Sequence, residues 1–361
     1  MQQLKTYGLP LSGFVVFLLN QILKSQPEFV ERFYSNGIYV YISKAMRFVF
    51  GWLPFSVGDI LYTLAILLVL RWLINSRKRL FKDTKAWGLE LLSTLSIAYI
   101  AFHVLWAFNY YRQPLHIALD IDNEYTIEEL SNVIDYLISE ANTAHSRLSK
   151  VDSLKIEFPY SKYEILDKVP DGYVQLHKEF PKLNYQPHSI KTSMYSTMLT
   201  YMGFSGYLNP FTNEAQVDIL IPKFKLPTTG SHEVAHQLGF AAENEANFIG
   251  GLAAINNPDP YFQYSGRAFA LRHCLYDLFK RDQNLYEAKL ETINKGILTN
   301  YQEVRDFWMS YQNPLEPAFK TTYDSFLKAN NQSKGMESYS YVVALFVNYF
   351  QANTQDLNVK N

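Results

Sequence analysis

Residues 91–111, "LLSTLSIAYIAFHVLWAFNYY", run for a bilayer's length of helix without one formal charge. A helix needs about 20 mostly apolar residues to cross the hydrocarbon core, and few soluble folds bury a segment like this. A second stretch, "DILYTLAILLVLRWLIN" (59–75), is uncharged from Ile60 to Leu70 and needs only Arg71 to snorkel from its end. A third, "LPLSGFVVFLLNQIL" (9–23), is shorter and is weakened by Asn20 and Gln21. Together they predict a membrane anchor over residues 1–112, with transmembrane helices at approximately 9–24, 58–75 and 90–111.

The intervening "RKRLFKDTK" sets Arg77, Lys78, Arg79, Lys82 and Lys85 against Asp83 alone. Short loops rich in Lys and Arg stay cytoplasmic, so residues 113–361 are predicted to lie outside. With 27 Tyr, 25 Phe and 5 Trp, the chain is well supplied with side chains that suit membrane interfaces and clefts. The net charge of −1 offers no basic footprint, so no nucleic-acid partner is expected. The single cysteine, Cys274, excludes an internal disulfide and any cysteine-based metal cluster. It reads as a small buried apolar residue.

After "RQPL" the chain turns soluble in character. Thr126 and Glu129 stand at capping-box spacing ahead of a helical pattern. "EAQVDILIP" (214–222) alternates and then runs β-branched, which predicts a strand, either at a sheet edge or inside it. Most of the remainder has helical periodicity, including "SYSYVVALFVNYFQAN", which is too short for a further span. The predicted class is therefore α+β, mainly α with a small β-sheet.

The chemistry concentrates in "SHEVAHQLGFAAENEANF" (231–248). His232 and His236 are i and i+4, one turn apart on one helix face, where both imidazoles can reach one metal ion. Glu233 beside them is placed to act as a general base. Ser231 is the predicted N-cap, and Gly239 the predicted left-handed end of that helix. A second helix then begins. On it Glu243 and Asn247 share a face, while Glu245 is rotated about 200° from Glu243. Glu243 is accordingly the expected third ligand, with Asn247 supporting the site; Glu245 is the alternative. Tyr264, Arg267 and His273 are candidate donors to a developing oxyanion, Tyr264 foremost. His103, within the third apolar stretch, is either functional or a helix-to-helix hydrogen bonder.

H-E-x-x-H followed by E-x-x-A-N resembles the gluzincins, whose histidine pair is followed on another helix by E-x-x-x-D. The membrane-bound prenyl-protein endopeptidases are a branch with an E-x-x-A-D form. The resemblance implies a zincin-like domain, His232, His236 and Glu243 as ligands of one Zn²⁺, and Glu233 as base. Asn247 stands where the family has aspartate, and its amide carbonyl is a weaker acceptor for a ligand's N–H than a carboxylate. The seven-residue interval from His236 to Glu243 is also shorter than in most gluzincins. More narrowly, "PFSVGDILY", "NEAQVDILIP", "HEVAHQLGFAAENEANF" and "QYSG" resemble an uncharacterised bacterial membrane family, the domain of unknown function 3810. That likeness implies a multi-pass protein of the bacterial inner membrane with an extracytoplasmic domain.

The expected function is a membrane-anchored zinc metallohydrolase, a peptidase acting on a peptide or protein substrate. The alternative is a non-catalytic zinc-binding sensor or interaction protein. Two imidazoles and one carboxylate also suit non-haem iron.

Overall fold

The computed structural model describes residues 2–332 and 341–359; part of the C-terminal apolar stretch, residues 338–340, lies outside them. Helices dominate, with one three-stranded sheet. Two helices, Val57–Ser76 and Thr84–Leu105, are long and apolar enough to cross a membrane. Only 11% and 6% of their apolar windows are buried within the protein, so their side chains face outward almost all round. Each begins on a side-chain cap: Ser56 accepts from the Asp59 N–H, and Asp83 from the Ala86 N–H.

The third predicted span is different. The helix Gln2–Leu23 packs on Thr84–Leu105, but its Tyr7–Leu23 part is long and apolar enough for a span only jointly with Pro27–Phe50, from which it is bent by 108°. Residues 27–50, a part of the predicted anchor outside its three predicted spans, are helical throughout. One face of the helix Tyr39–Phe50 is buried, through Tyr39, Ser43 and Arg47. Tyr39 and Ser43 both donate to the carbonyl of Gln237, at 3.0 and 2.8 Å, and so tie this segment to the end of the helix carrying H-E-x-x-H. His103 bonds within its own helix, to the Tyr99 carbonyl at 2.9 Å.

The large core surrounds two helices. The motif helix, Leu226–Gln237, and the ligand helix, Glu243–Ile255, pack on each other and are enclosed by Lys162–Glu179, Pro260–Arg281 and Val342–Val359. Pro260–Arg281 in turn packs on Ile127–Leu148, whose Thr126–Glu129 capping box is formed. Cys274 is fully buried there. The two central helices approach closely because Gly250 lacks a side chain: a Cβ there would lie 2.7 Å from the backbone N of His232.

The sheet runs β1 (Ile190–Thr192), β3 (Glu214–Val217), β2 (Gly206–Asn209). β1 is parallel to β3 with Ile190 opposite Ala215, and β2 is antiparallel with Gly206 opposite Val217. β3 is thus the middle strand, and of the two sequence alternatives the interior one holds. It is also shorter than the predicted 214–222. Asp218 ends it, accepting from the Leu220 N–H and from Thr200, which turns the chain out of the ladder.

Candidate metal centre

The motif helix starts at Leu226, not after Ser231 as the sequence suggested. Pro227 sits in its first turn, where a missing N–H leaves no hydrogen bond unmade, so "KLPTTG" is helix rather than loop. Its other end is the predicted one. Gly239 adopts φ +92°, the Phe240 N–H returns to the Ala235 carbonyl at 3.2 Å, and the Gly239 N–H reaches His236 at 2.9 Å. This turn also brings the Phe240 carbonyl back to Nδ1 of His236, at 2.7 Å. A carbonyl can only accept, so Nδ1 carries a proton and Nε2 is the nitrogen left to bind a metal ion once it has shed its own.

Nε2 of His236 lies 3.7 Å from Oε1 of Glu243, and Nε2 of His232 lies 3.3 Å from Oε2 of the same carboxylate. One ligand atom from each of the three residues falls within 4.8 Å of the others. Charged N–H···O bonds are shorter, at about 2.7–2.9 Å. Donors sharing a tetrahedral Zn²⁺ at about 2.1 Å would sit about 3.4 Å apart. The donor set and its spacing therefore fit one Zn²⁺. Nδ1 of His232 and Oε2 of Glu233 are buried without a hydrogen-bond partner, which marks the polar groups at this spot as incompletely satisfied by protein alone.

Without metal the cluster is an electrostatic unit. Burial pushes the Glu243 carboxyl up, but the two histidines outweigh it and hold the group well below the usual carboxylate range. Burial likewise pulls His236 down, yet Glu243 and Glu233 bring it up to about 9. His232 is lowered, by burial and by His236. Burial raises Glu233 to about 8, with His236 and Lys225 acting against the rise. Gly206 of β2 lets the strand pass close to this side chain: a Cβ there would meet Oε1 of Glu233 at 2.7 Å.

The other sequence candidates scatter. Asn247 is buried on the face shared with Glu243, and its side chain favours the charged form of His232 against the larger pull of burial. Glu245 points elsewhere and accepts from the Leu115 N–H at 2.7 Å; burial raises it to about 7. Tyr264 is not at the cluster in the expected role. Its hydroxyl is bonded to Asn300 at 2.8 Å in the core, between His145 and Phe224, because its helical phase turns it inward. Arg267 is engaged by Glu140 at 3.0 Å. His273 packs its ring on Phe269, and burial lowers it to about 3.

Three residues converge on the site without a motif to announce them. Tyr323, on the helix Glu316–Ala329, donates to Oε1 of Glu243 at 2.6 Å. Lys225, lowered by burial to about 8, acts on Glu233 and bonds Ser205. Trp106, just past the helix Thr84–Leu105, donates from Nε1 to the His236 carbonyl at 3.2 Å. The helix Thr84–Leu105 thereby meets the site. Phe102 touches Trp106 and Phe326, both with ring centroids 6.1 Å away, and Phe326 stacks on Tyr323. On the sheet side, Glu214 of β3 accepts from the Val57 and Gly58 N–H groups, and Asp59 accepts from Ser193 and Tyr207.

No curated protein and no solved structure matches this chain. A family model described as a protein of unknown function, DUF3810, matches residues 34–347, and the chain belongs to that family.

Proposed function

We propose that this protein is a membrane-anchored zinc metallohydrolase with a zincin-like domain, a peptidase in which Glu233 is the general base. The observation that carries the reading is the convergence of His232, His236 and Glu243 beside the unpartnered carboxylate oxygen of Glu233. Zn²⁺ held by those three side chains would supply Lewis acidity, polarising a substrate carbonyl and making water acidic enough to ionise near neutral pH. Glu233 would take a proton from the attacking water and return it to the leaving nitrogen. A carboxyl whose affinity for protons is raised by burial suits both transfers. Tyr323 and Lys225 are the donors this reading assigns to the developing oxyanion, in place of Tyr264.

A non-catalytic zinc site would be expected to close with a fourth protein ligand. Among the described residues three side chains form the cluster, which favours the catalytic reading. The Lys/Arg-rich 77–85 segment would remain cytoplasmic, so the site would face outward from a bacterial inner membrane. The contact of Trp106 with His236, with Phe102 packed behind Trp106, supports a substrate met at the bilayer surface.

The test is a cleavage screen of full-length, zinc-loaded protein against a fluorogenic peptide library. Glu233→Gln should retain zinc and lose turnover by at least a hundredfold. Undiminished hydrolysis in that variant would remove Glu233 from the chemistry.

A further inference from the structure

A cavity of about 250 Å³ whose lining includes none of His232, His236 and Glu243 lies between the helix Tyr39–Phe50 and the turn Leu238–Phe240. Arg47 lines it. This side chain is only 1% exposed, yet its Nε and Nη1 have no hydrogen-bond partner. Its remaining contacts are a long bond from Nη2 to the Gln186 carbonyl, 3.4 Å, and the face of the Tyr185 ring at 5.1 Å. A guanidinium in a protein interior is destabilising unless an anion or acceptors meet it. The hydroxyl of Ser35, also on the cavity wall, is buried and unpartnered too.

The rest of the lining agrees in sign. Lys44 and Lys182 stand at the rim, and among the described residues no Asp or Glu lines the cavity. Glu31, which approaches Lys182 at 3.8 Å, lies outside the lining and is held by Arg112 at 2.8 Å. We propose that this cavity binds a phosphoryl oxyanion, supplied by a lipid headgroup or by free phosphate. Arg47 is the buried fork that such a group matches with paired N–H···O bonds, and the two lysines add charge at the mouth.

The lipid source has its own support. On the other side of the same helix Tyr41, Phe48 and Val49 are exposed, and Trp52 follows just beyond it at 75% exposure. An apolar face ending in tryptophan lies naturally at the headgroup boundary, which would set the cavity at phosphate depth.

Thermal unfolding of the full-length protein in detergent separates the cases. One arm titrates inorganic phosphate against chloride at equal ionic strength; the other titrates dihexanoylphosphatidylglycerol against dihexanoylglycerol. Saturable stabilisation by phosphate assigns a free-anion site, by the phospholipid alone a headgroup site, and by both a site for the shared group. Arg47→Met should abolish the effect. Because that change is buried and can disturb folding, Lys44→Gln/Lys182→Gln carries the test on exposed side chains. It should weaken binding at least tenfold at unchanged starting stability. No saturable stabilisation in either arm, or equal affinity in the double lysine variant, would overturn the proposal.

Discussion

The helices Val57–Ser76 and Thr84–Leu105 and the helices Leu226–Gln237 and Glu243–Ile255 obey opposite rules. The first pair turns leucine, isoleucine and valine outward and buries little of itself. The second pair buries nearly every residue it has, including Glu233, His236, Glu243 and Glu245. Apolar side chains facing out are stable where the surroundings are lipid. Carboxylates and imidazoles facing in are stable only where each has a partner of opposite charge or a metal ion. The kind of neighbour each pair requires is thus legible from what it exposes or hides, and Trp106, just past Thr84–Leu105, joins that helix to the motif helix.

Substituting one glycine in each pair breaks the comparison most forcefully. Gly250 has the His232 backbone 2.7 Å from where a Cβ would go, whereas Gly88 has nothing within 4 Å. Gly250→Val should force the central helices apart, lowering stability by about 1–3 kcal/mol and displacing His232 from Glu243. Gly88→Ala should leave thermal stability and metal affinity within error. Equal effects at the two glycines would show that the close approach does not position the site.

A subtler contrast concerns charge. In metal-free protein the Glu233 carboxyl is raised to about 8, so the folded state holds its proton where the unfolded state has lost it. Stability from that proton is present at low pH and disappears as pH rises from the ordinary carboxylate value through about 8. Metal-free Glu233→Gln should therefore gain on metal-free wild type across that window, read as a growing difference in Tm. A constant difference from pH 5 to pH 8 would mean Glu233 is already ionised at the lower end. Smallest is the expected effect of Tyr323→Phe, which removes one hydrogen bond to Glu243 and leaves the ring stacked on Phe326. Turnover should fall about tenfold with little change in zinc content, in line with a charge-assisted bond of about 1.5–3 kcal/mol. Unaltered turnover would dismiss Tyr323 as a donor.

Local rules carried the sequence reading a long way. The i, i+4 spacing brought His232 and His236 to one face, helix phase separated Glu243 from Glu245, and the left-handed Gly239 is where a helix end needs it. Long-range convergence was invisible. Tyr323 comes from a helix 80 positions after Glu243, and its hydroxyl has no periodic signature. Tyr264 misled because nearness in sequence to the motif is not nearness in space; its face of the helix packs on Asn300. The motif helix began early because Pro227 reads as a breaker by composition but is harmless in a first turn. The burial of Tyr39, Ser43 and Arg47 also escaped, since a stretch lying next to apolar segments looked like part of the anchor.

The most direct test is the metal content of the full-length purified protein by elemental analysis, alongside His236→Ala, Glu243→Gln and Glu233→Gln. About one zinc per chain is predicted for wild type and for Glu233→Gln, and loss of that zinc in the other two variants. Uptake should also strengthen with pH up to about 9, because His236 must shed its proton to bind. A wild-type protein that takes up no zinc, or one that keeps it without Glu243, would contradict the account.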